Sequence, residues 1–430
     1  MQALTLIVMT RLPREGRNKT RLIPALGAKG AMVFHDRLAR HAIGRASSFC
    51  MMGKGRNLRI CLEGGTPIEG KSWLGDDSLD CREQSDGDLG TRMRIASEDA
   101  FADGAEKVVI VGTDCPSINE SILHEAKQLL DSNDLVYGPA LDGGYYLVGM
   151  RKPSPAVFDG ISWGGENVLS QSLDAANLAG LKTALLNPLP DVDHPQDLPA
   201  AEQALRIGSS VSVIIPTFNE APRIAETLAS ISQSAPHEII VADGGSTDGT
   251  REIAGEMGAR VISAPKGRGS QMNHGAETTT GEFLLFLHAD TIPPDNFPHI
   301  IANTLNRPNT AAGAFRFKLS GDMGASPLIE ALVNLRCRFF GTPYGDQGIF
   351  IRRAIFHQIG GFSNLEAMED LYFIRKARNA AKIRIARESV LTSPRRWQQS
   401  GLIRTFLRHQ LMFLFDRIGI PDRLISQLRQ

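Results

Sequence analysis

Two apolar stretches of the chain each lead to an aspartate, and this arrangement could support chemistry. KVVIVGTDCP leads to Asp114, and EFLLFLHADT leads to Asp290. Alternate residues of an extended segment point the same way, so His288 and Asp290 could face one site. One carboxylate and two phosphate oxygens would suit Mg²⁺ or Mn²⁺, which prefer oxygen ligands. Alone, an aspartate at a strand end is more often a loop cap.

A third aspartate, Asp243, ends the apolar part of EIIVADGGSTDGT. The glycine pair after it allows a tight turn and the close approach of a ligand. An ionised carboxylate there suits ribose hydroxyls or a base edge, because charged acceptors make the stronger hydrogen bonds. The structural alternative is a turn in which Ser246 and Asp248 cap the next helix. The residues alone support both interpretations.

Two further motifs supply an acid pair and a basic, aromatic group. Glu369 and Asp370 precede the amphipathic pattern LYFIRKARNA. Acids at a helix start commonly complement the helix dipole, whereas the functional alternative makes Asp370 a general base. TSPRRW supplies Arg395 and Arg396 for phosphate and Trp397 for stacking against a ring.

The N-terminal half has charged loops of its own. GRNKTRL offers Lys19 and Arg21, which could hold a chain of phosphates. The motifs GTDCP, GPALDGGYYLVG and DVDHPQDL contain Asp114, Asp142, Asp191 and Asp193. At one sheet edge these carboxylates could bind one or two Mg²⁺ ions. A single such acid is more often a turn former, but the motifs together favour a site.

The elements that would carry these residues follow one plan in both halves. LTLIVMT and VSVIIPT are continuously apolar and rich in β-branched residues, as strands buried on both faces are. Stretches with helical spacing, such as IAETLASIS, lie between the strands. The pattern predicts an α/β fold with two domains, 1–205 and 211–430, each a mostly parallel sheet flanked by helices. One large doubly wound sheet is the alternative, but it would need well over ten strands.

Composition narrows the function classes. The 430 residues include 47 Lys plus Arg and 47 Asp plus Glu, so no basic excess suggests nucleic-acid binding. The five cysteines lack CxxC spacing, which argues against a zinc site or a disulfide framework. Since no stretch approaches the ~18 apolar residues of a spanning helix, we expect a cytoplasmic protein without a transmembrane segment.

The C-terminal motifs resemble those of family 2 glycosyltransferases, especially the branch associated with arsenosugar biosynthesis and with radical-SAM and selenodomain proteins. The motifs run in the order PTFNE, DGGSTDGT, KGRGSQMNHGA, FLHADT, GDQGIF, GGF…MED and SPRRW. The resemblance implies a GT-A-type domain, a nucleotide-sugar donor, a small-molecule acceptor and Mn²⁺ or Mg²⁺. HAD stands where many relatives have DxD, so one acid serves the metal. RRW in place of QxxRW, with no membrane spans after it, argues against a polysaccharide synthase.

The same resemblance assigns a role to each matching residue. The nucleotide would be bound by Pro216, Asn219, Glu220, Asp243, Asp248 and Arg268. The acceptor or phosphate would be bound by Asp346, Gln347, Glu369, Arg396 and Trp397. Asp290 would hold the metal, and Asp370 would be the general base of a single displacement with inversion.

The N-terminal half, from about Leu4 to Leu198, resembles the companion glycosyltransferase-like family of the same radical-SAM and selenodomain group. More distantly, it is similar to small nucleotidyltransferases that act on molybdopterin or phospholactate. This implies a second GT-A-like domain for sugar or nucleotidyl transfer, with Lys19 and Arg21 on a nucleotide and Asp114 with Asp193 on a metal. We therefore expect a bifunctional transferase.

Two alternatives to the bifunctional transferase remain open. In the first, the N-terminal half is a non-catalytic scaffold. In the second, the enzyme makes weak peripheral contact with a membrane and acts on a lipid acceptor. The second rests on the tail, where apolar and basic residues recur at helical spacing: Ile403, Phe406, Leu407, Leu411 and Leu414 with Arg404, Arg408, Arg417 and Arg423. An ordinary packed helix explains the same pattern.

Overall fold

The computed structural model describes residues 3–321, 326–365, 368–395 and 411. The chain divides into two compact units: residues 1–208 with 306–309, and residues 209–305 with 310–430. Within the described residues, no helix is both long and apolar enough to cross a membrane.

The N-terminal unit has a seven-stranded sheet in the order β3-β2-β1-β4-β6-β5-β7. The strands are β1 Leu4–Arg11, β2 Arg56–Glu63, β3 Asp80–Glu83, β4 Lys107–Val111, β5 Leu135–Pro139, β6 Tyr145–Met150 and β7 Thr183–Leu185. The helices are α1 Ile23–Met51, α2 Pro67–Leu74, α3 Leu89–Ala102, α4 Glu120–Leu129, α5 Val168–Leu178 and α6 Leu198–Ile207. Short 3₁₀ turns span Thr20–Leu22, Pro155–Val157 and Pro195–Asp197. Only β6 runs against its neighbours, β4 and β5.

The C-terminal unit has an eight-stranded sheet in the order β10-β9-β8-β11-β14-β13-β15-β12. The strands are β8 Val211–Thr217, β9 Glu238–Asp243, β10 Arg260–Ser263, β11 Phe283–Phe286, β12 Thr291–Ile292, β13 Thr310–Leu319, β14 Ile349–Arg352 and β15 Lys382–Thr392. The helices are α7 Ala221–Gln233, α8 Thr250–Glu256, α9 Arg268–Glu277, α10 Phe297–Leu305, α11 Ser326–Phe340, α12 Arg353–Gln358 and α13 Glu369–Ala380, and a 3₁₀ turn spans Gly345–Gln347.

The two sheets share one topology. In each, four parallel strands are followed by an antiparallel strand and then by a parallel pair, and the C-terminal sheet adds β12 at its edge. The predicted α/β class with mostly parallel sheets is therefore confirmed, and the alternative of one large sheet is wrong. Because β4 and β11 hold corresponding positions, Asp114 and Asp290 follow corresponding strands, three and four residues after the strand ends.

Burial on both faces explains why the strands are continuously apolar. In β1, Leu6 and Val8 pack into one core cluster, and Ile7 and Met9 pack into another on the opposite face. A strand covered on both sides needs apolar residues at every position rather than at alternate ones. Polar residues are left to the strand ends, where the candidate sites begin.

Candidate active sites

His288 and Asp290 follow β11 directly. Leu287 and Ala289 are buried, whereas His288 and Asp290 are half-buried. The segment is not extended as predicted, because Ala289 and Asp290 lie in a turn that the Thr291 amide closes by donating to the His288 carbonyl at 3.2 Å. Thr227 Oγ1 donates to the Ala289 carbonyl at 2.8 Å, and the Ser393 amide donates to the Asp290 carbonyl at 3.1 Å. The Asp290 carboxylate itself makes no hydrogen bond or ion pair with any residue in the described part of the chain. The backbone around Asp290 is thus anchored, and its carboxylate has no partner among the described residues.

Asp370 lies in the first turn of α13 and reaches the loop before β14. Its Oδ2 accepts a hydrogen bond from the Gly345 amide at 2.7 Å. A side chain at position 345 would bring its Cβ to 2.9 Å from His288 Nε2 and 3.4 Å from Asp370 Oδ2. Glycine is therefore required where the two side chains converge. Together with Arg268 and Glu369, they line a small cavity.

Glu369, which the resemblance assigns to the acceptor or a phosphate, is buried and paired with an arginine. Its side chain is only 3% exposed, and its Oε1 accepts from Arg268 Nη1 at 3.2 Å. Arg268 begins α9, so this pair joins the start of α9 to the start of α13. The structure thus brings the predicted residues Arg268 and Glu369 together. Their ion pair holds α9 against α13, the helix that positions Asp370.

Asp243, which the resemblance assigns to the nucleotide, has a fully buried side chain. Its Oδ2 accepts from the Gly245 and Ser246 amides, both at 2.9 Å. Its Oδ1 accepts from Ser246 Oγ at 2.5 Å and from Thr217 Oγ1 at 3.2 Å. Burial alone would raise the Asp243 pKa, but these hydrogen bonds outweigh it and hold the pKa below the ordinary value. The carboxylate closes the turn after β9, and its contact with a nucleotide stays a prediction.

The loops after β8 and β9 are locked together by hydrogen bonds. Asn219 Oδ1 accepts from the Thr247 amide at 2.9 Å, and Asp248 Oδ2 accepts from the Ala221 amide at 3.1 Å. The Glu220 amide donates to Thr250 Oγ1 at 2.9 Å. Three of the predicted nucleotide residues, Asn219, Glu220 and Asp248, thus lie on two joined loops, and Pro216 lies next to them near the end of β8.

Gln347 is another residue that the resemblance assigns to the acceptor or a phosphate. It is fully buried; its amide nitrogen donates to the Phe315 carbonyl at 3.0 Å, and its Oε1 accepts from the Tyr344 amide at 3.2 Å. It holds the loop whose Gly345 contacts Asp370. Asp346 is half-buried beside it, and its carbonyl accepts from Thr392 Oγ1 at 2.9 Å. Arg396, Trp397 and the apolar and basic tail residues, Leu411 apart, lie outside the described residues.

In the N-terminal unit, a cleft of about 620 Å³ opens at the carboxyl ends of β1 and β4. The structure brings all the charged residues predicted for this half to its walls: Lys19, Arg21, Asp114, Asp142, Asp191 and Asp193. Burial and the neighbouring carboxylates of Asp142 and Asp193 raise the Asp191 pKa above its ordinary value. The carboxylates on this wall of the cleft thus repel one another electrostatically.

Lys19 is buried between two of these carboxylates. Its Nζ lies 2.8 Å from Asp114 and 3.2 Å from Asp193, and it donates to the Val192 carbonyl at 2.5 Å. Arg21 Nη1 also contacts Asp193, at 2.7 Å. The Lys19 ammonium therefore already bridges the predicted metal pair Asp114 and Asp193, so these residues do not fit a metal in this arrangement. Elsewhere in the described residues, no group of three or more His, Cys, Asp or Glu could hold a metal ion.

Two glutamines at the sheet edges were missed by sequence reasoning. Gln84 Nε2 donates to the Thr10 and Cys61 carbonyls at 3.1 and 2.9 Å. Gln271 Nε2 donates to the Thr217 and Ala242 carbonyls at 2.7 and 2.8 Å. Each bridges the ends of two neighbouring strands, in matching positions of the two sheets. One glutamine follows β3 directly and the other lies inside α9, so no shared motif could have revealed them.

Comparisons with known proteins divide the chain in the same way. Residues 212–362 match the model of glycosyl transferase family 2. Residues 50–165 match a family described as an uncharacterized protein conserved in bacteria, DUF2064. The chain is a fusion of a DUF2064 domain and a family 2 glycosyltransferase domain.

Among curated proteins, the chain is similar to glycosyltransferase AglE of Haloferax volcanii, at 26% identity over 40% of this chain and 62% of that protein. It is also similar to glucosyl-3-phosphoglycerate synthase of Mycobacterium tuberculosis, at 31% identity over 29% of this chain and 43% of that protein. The chain thus spans about two fifths to three fifths of the length of these relatives.

Two solved structures are also similar. A nucleotide-diphospho-sugar transferase of Desulfovibrio desulfuricans G20 matches at 28% identity, over 48% of this chain and 98% of that one, with a TM-score of 0.42. The M. tuberculosis synthase, in complex with Mn²⁺, UDP and phosphoglyceric acid, matches at 23% identity, over 52% of this chain and 83% of that one, with a TM-score of 0.39. At such TM-scores, the fold assignment rests on the strand order given above.

Proposed function

We propose that the C-terminal domain transfers a sugar from a nucleotide-sugar donor to a small-molecule acceptor, with inversion at the anomeric carbon. The observation that carries this proposal is the convergence of His288 and Asp370 on Gly345, with Asp290 two residues after His288, within a segment that matches glycosyl transferase family 2. In this sheet type, ligands bind beyond the carboxyl ends of the strands.

Asp370 is the proposed general base. Its Oδ2 is held by the Gly345 amide, and a carboxylate has further lone pairs to accept an acceptor hydroxyl. As the acceptor oxygen bonds to the anomeric carbon, the proton passes to Asp370. The bond from that carbon to the diphosphate breaks, and the nucleoside diphosphate leaves with the electron pair.

Asp290 is the proposed metal ligand. Its carboxylate is half-buried and free of partners among the described residues, so it fits a divalent ion that also binds two diphosphate oxygens. Mn²⁺ or Mg²⁺ there would stabilise charge on the departing diphosphate. The M. tuberculosis synthase, whose structure includes Mn²⁺ and UDP, motivates uridine nucleotides as the first donors to test.

The Asp290 hypothesis predicts that metal and donor bind together. A thermal-shift screen of nucleoside diphosphates and their sugars first identifies the donor. Asp290→Ala should then abolish the Mn²⁺-dependent part of donor binding in isothermal titration and leave the circular dichroism spectrum unchanged. Asp295→Ala, at an exposed loop position, is the matched control and should bind normally. Metal-dependent binding that survives Asp290→Ala would contradict the assignment.

For the N-terminal unit, we infer a second nucleotide or nucleotide-sugar site that supports glycosyl or nucleotidyl transfer. The specific support is the cleft of about 620 Å³, lined by Lys19, Arg21 and the carboxylates at the ends of the strands. A cleft of this volume accommodates a cofactor-sized ligand.

A further inference from the structure

The Lys19 ammonium lies between the carboxylates of Asp114 and Asp193, where a metal cation would bridge them. A lysine ammonium has three hydrogen-bond donors. Three acceptors surround Nζ: the Val192 carbonyl, Asp114 and Asp193, at 2.5, 2.8 and 3.2 Å. The three donors match the three acceptors, so Lys19 satisfies these acceptors without an added ion.

The loop that carries Lys19 is built to hold it there. Lys19 has a left-handed backbone, with φ 47° and ψ 48°, a conformation that residues other than glycine rarely adopt. The preceding Asn18 is buried, and its side chain accepts from the Arg14 amide and donates to the Leu12 carbonyl. Only 7% of the Lys19 side chain is exposed. Moving the ammonium into solvent would therefore require the loop to rearrange.

The Lys19 ammonium is paired with both carboxylates, at 2.8 Å from Asp114 and 3.2 Å from Asp193. A divalent ion at the same carboxylates would face a fixed positive charge within a few ångströms, in a partly desolvated site where screening is weak.

The C-terminal unit provides an internal comparison. Asp290 follows β11 as Asp114 follows β4, at corresponding positions of the two sheets. Asp290 has no ion pair among the described residues, whereas Asp114 is paired with Lys19. The aspartate that follows the central strand is thus ion-paired with a lysine in the N-terminal unit, and it has no ion pair among the described residues in the C-terminal unit.

We infer that Lys19 takes the place of a divalent metal in the N-terminal cleft, so that this cleft binds its phosphorylated ligand without a metal ion. The two units of the chain then differ in metal dependence although they share a topology. The nature of the ligand rests on the second site proposed above; the role of Lys19 does not.

Manganese binding tests the inference on the full-length chain, with Asp290→Ala present throughout to remove the proposed C-terminal metal site. Binding is followed by the loss of the electron paramagnetic resonance signal of free Mn²⁺. Asp290→Ala alone should bind no Mn²⁺ that depends on Asp114. Adding Lys19→Met should create an Asp114-dependent Mn²⁺ site and raise the Mn²⁺ affinity at least tenfold over that of Asp290→Ala alone. Adding Asp114→Asn to these two substitutions should remove the site. Lys19→Arg keeps the charge and should create no site.

Two results would overturn the inference: Asp114-dependent Mn²⁺ binding with Lys19 intact, or no gain of binding in a folded Lys19→Met protein. If Lys19→Met does not fold, comparing Mn²⁺ binding by Asp290→Ala with and without Asp114→Asn still tests whether Asp114 binds a metal beside Lys19.

A second experiment titrates the protein with uridine diphosphate and adenosine triphosphate in the presence of Mn²⁺ or of EDTA. Affinity that EDTA leaves unchanged supports metal-free binding, and affinity that needs Mn²⁺ refutes it. If neither nucleotide binds, the second site proposed above fails, and the manganese arm still decides the role of Lys19.

Discussion

Replacing Asp243 separates a residue that holds a turn from a residue that binds a nucleotide. In Asp243→Asn, the remaining side-chain oxygen can still accept from the Gly245 and Ser246 amides. The new amide group would then face Ser246 Oγ and Thr217 Oγ1, which can rotate to accept. The loss is mainly the charge-assisted part of these hydrogen bonds, about 1–2 kcal/mol of the free energy of unfolding. Asp243→Ala leaves two buried amides without their acceptor and should cost about 3–5 kcal/mol.

The pH dependence gives the same prediction a second test. The Asp243 pKa is lower in the folded protein than its ordinary value of 3.8. A depressed pKa adds stability above the unfolded value, and this stability is lost as the pH falls through the folded value. The difference in unfolding free energy between wild type and Asp243→Asn should therefore be constant near neutral pH and shrink below about pH 3.8.

Urea unfolding and isothermal titration with the identified donor measure both effects. The account predicts lower stability with donor affinity within about twofold of wild type, since a turn restored by asparagine keeps its shape. Asp295→Asn removes the same charge at an exposed position and should change neither quantity. Unchanged stability with donor binding weakened tenfold or more would refute the reasoning and restore Asp243 as a nucleotide ligand.

Two further predictions follow from buried charges. Arg268→Met removes a partner of the buried Glu369 and should lower the free energy of unfolding by about 1–3 kcal/mol. Arg387→Met, on an exposed position of β15, should have little effect in the same urea titration, and equal losses would contradict the role of the pair. Asp191→Asn should raise the melting temperature at pH 7, because burial and the charges of Asp142 and Asp193 raise the Asp191 pKa. A carboxyl with a raised folded pKa destabilises the protein as the pH rises above its ordinary value of 3.8, so the gain should vanish below that pH, and a gain independent of pH would exclude this cause.

The features that the sequence predicted well depend on short segments of the chain. The continuous apolar pattern of LTLIVMT followed from burial on both faces of β1. The apolar run FLLFL predicted a strand, and β11 covers Phe283–Phe286. The α/β class followed from the alternation of such segments with helical ones.

What the sequence could not predict depends on contacts between distant residues. Lys19 meets Asp193 across 174 positions of the chain, so no spacing could show that a lysine bridges a predicted metal pair. Asp243 and Gln347 have the residue types of ligands, and only their burial shows that they hold loops. Gly345 acts through its backbone amide, and a backbone contact has no sequence signature of its own.

The most direct test of the central claim compares Asp370→Asn with wild type in donor binding and in sugar transfer. Asparagine can keep the hydrogen bond from the Gly345 amide but has little proton affinity, so donor affinity and stability should stay near wild type. Transfer should fall by roughly 10²-fold or more, the usual effect of losing a positioned general base. Glu369→Gln, next to it, should lower stability while retaining most of the transfer rate at a permissive temperature. Normal transfer by Asp370→Asn in a folded, donor-binding protein would contradict the account and move the general base to another residue.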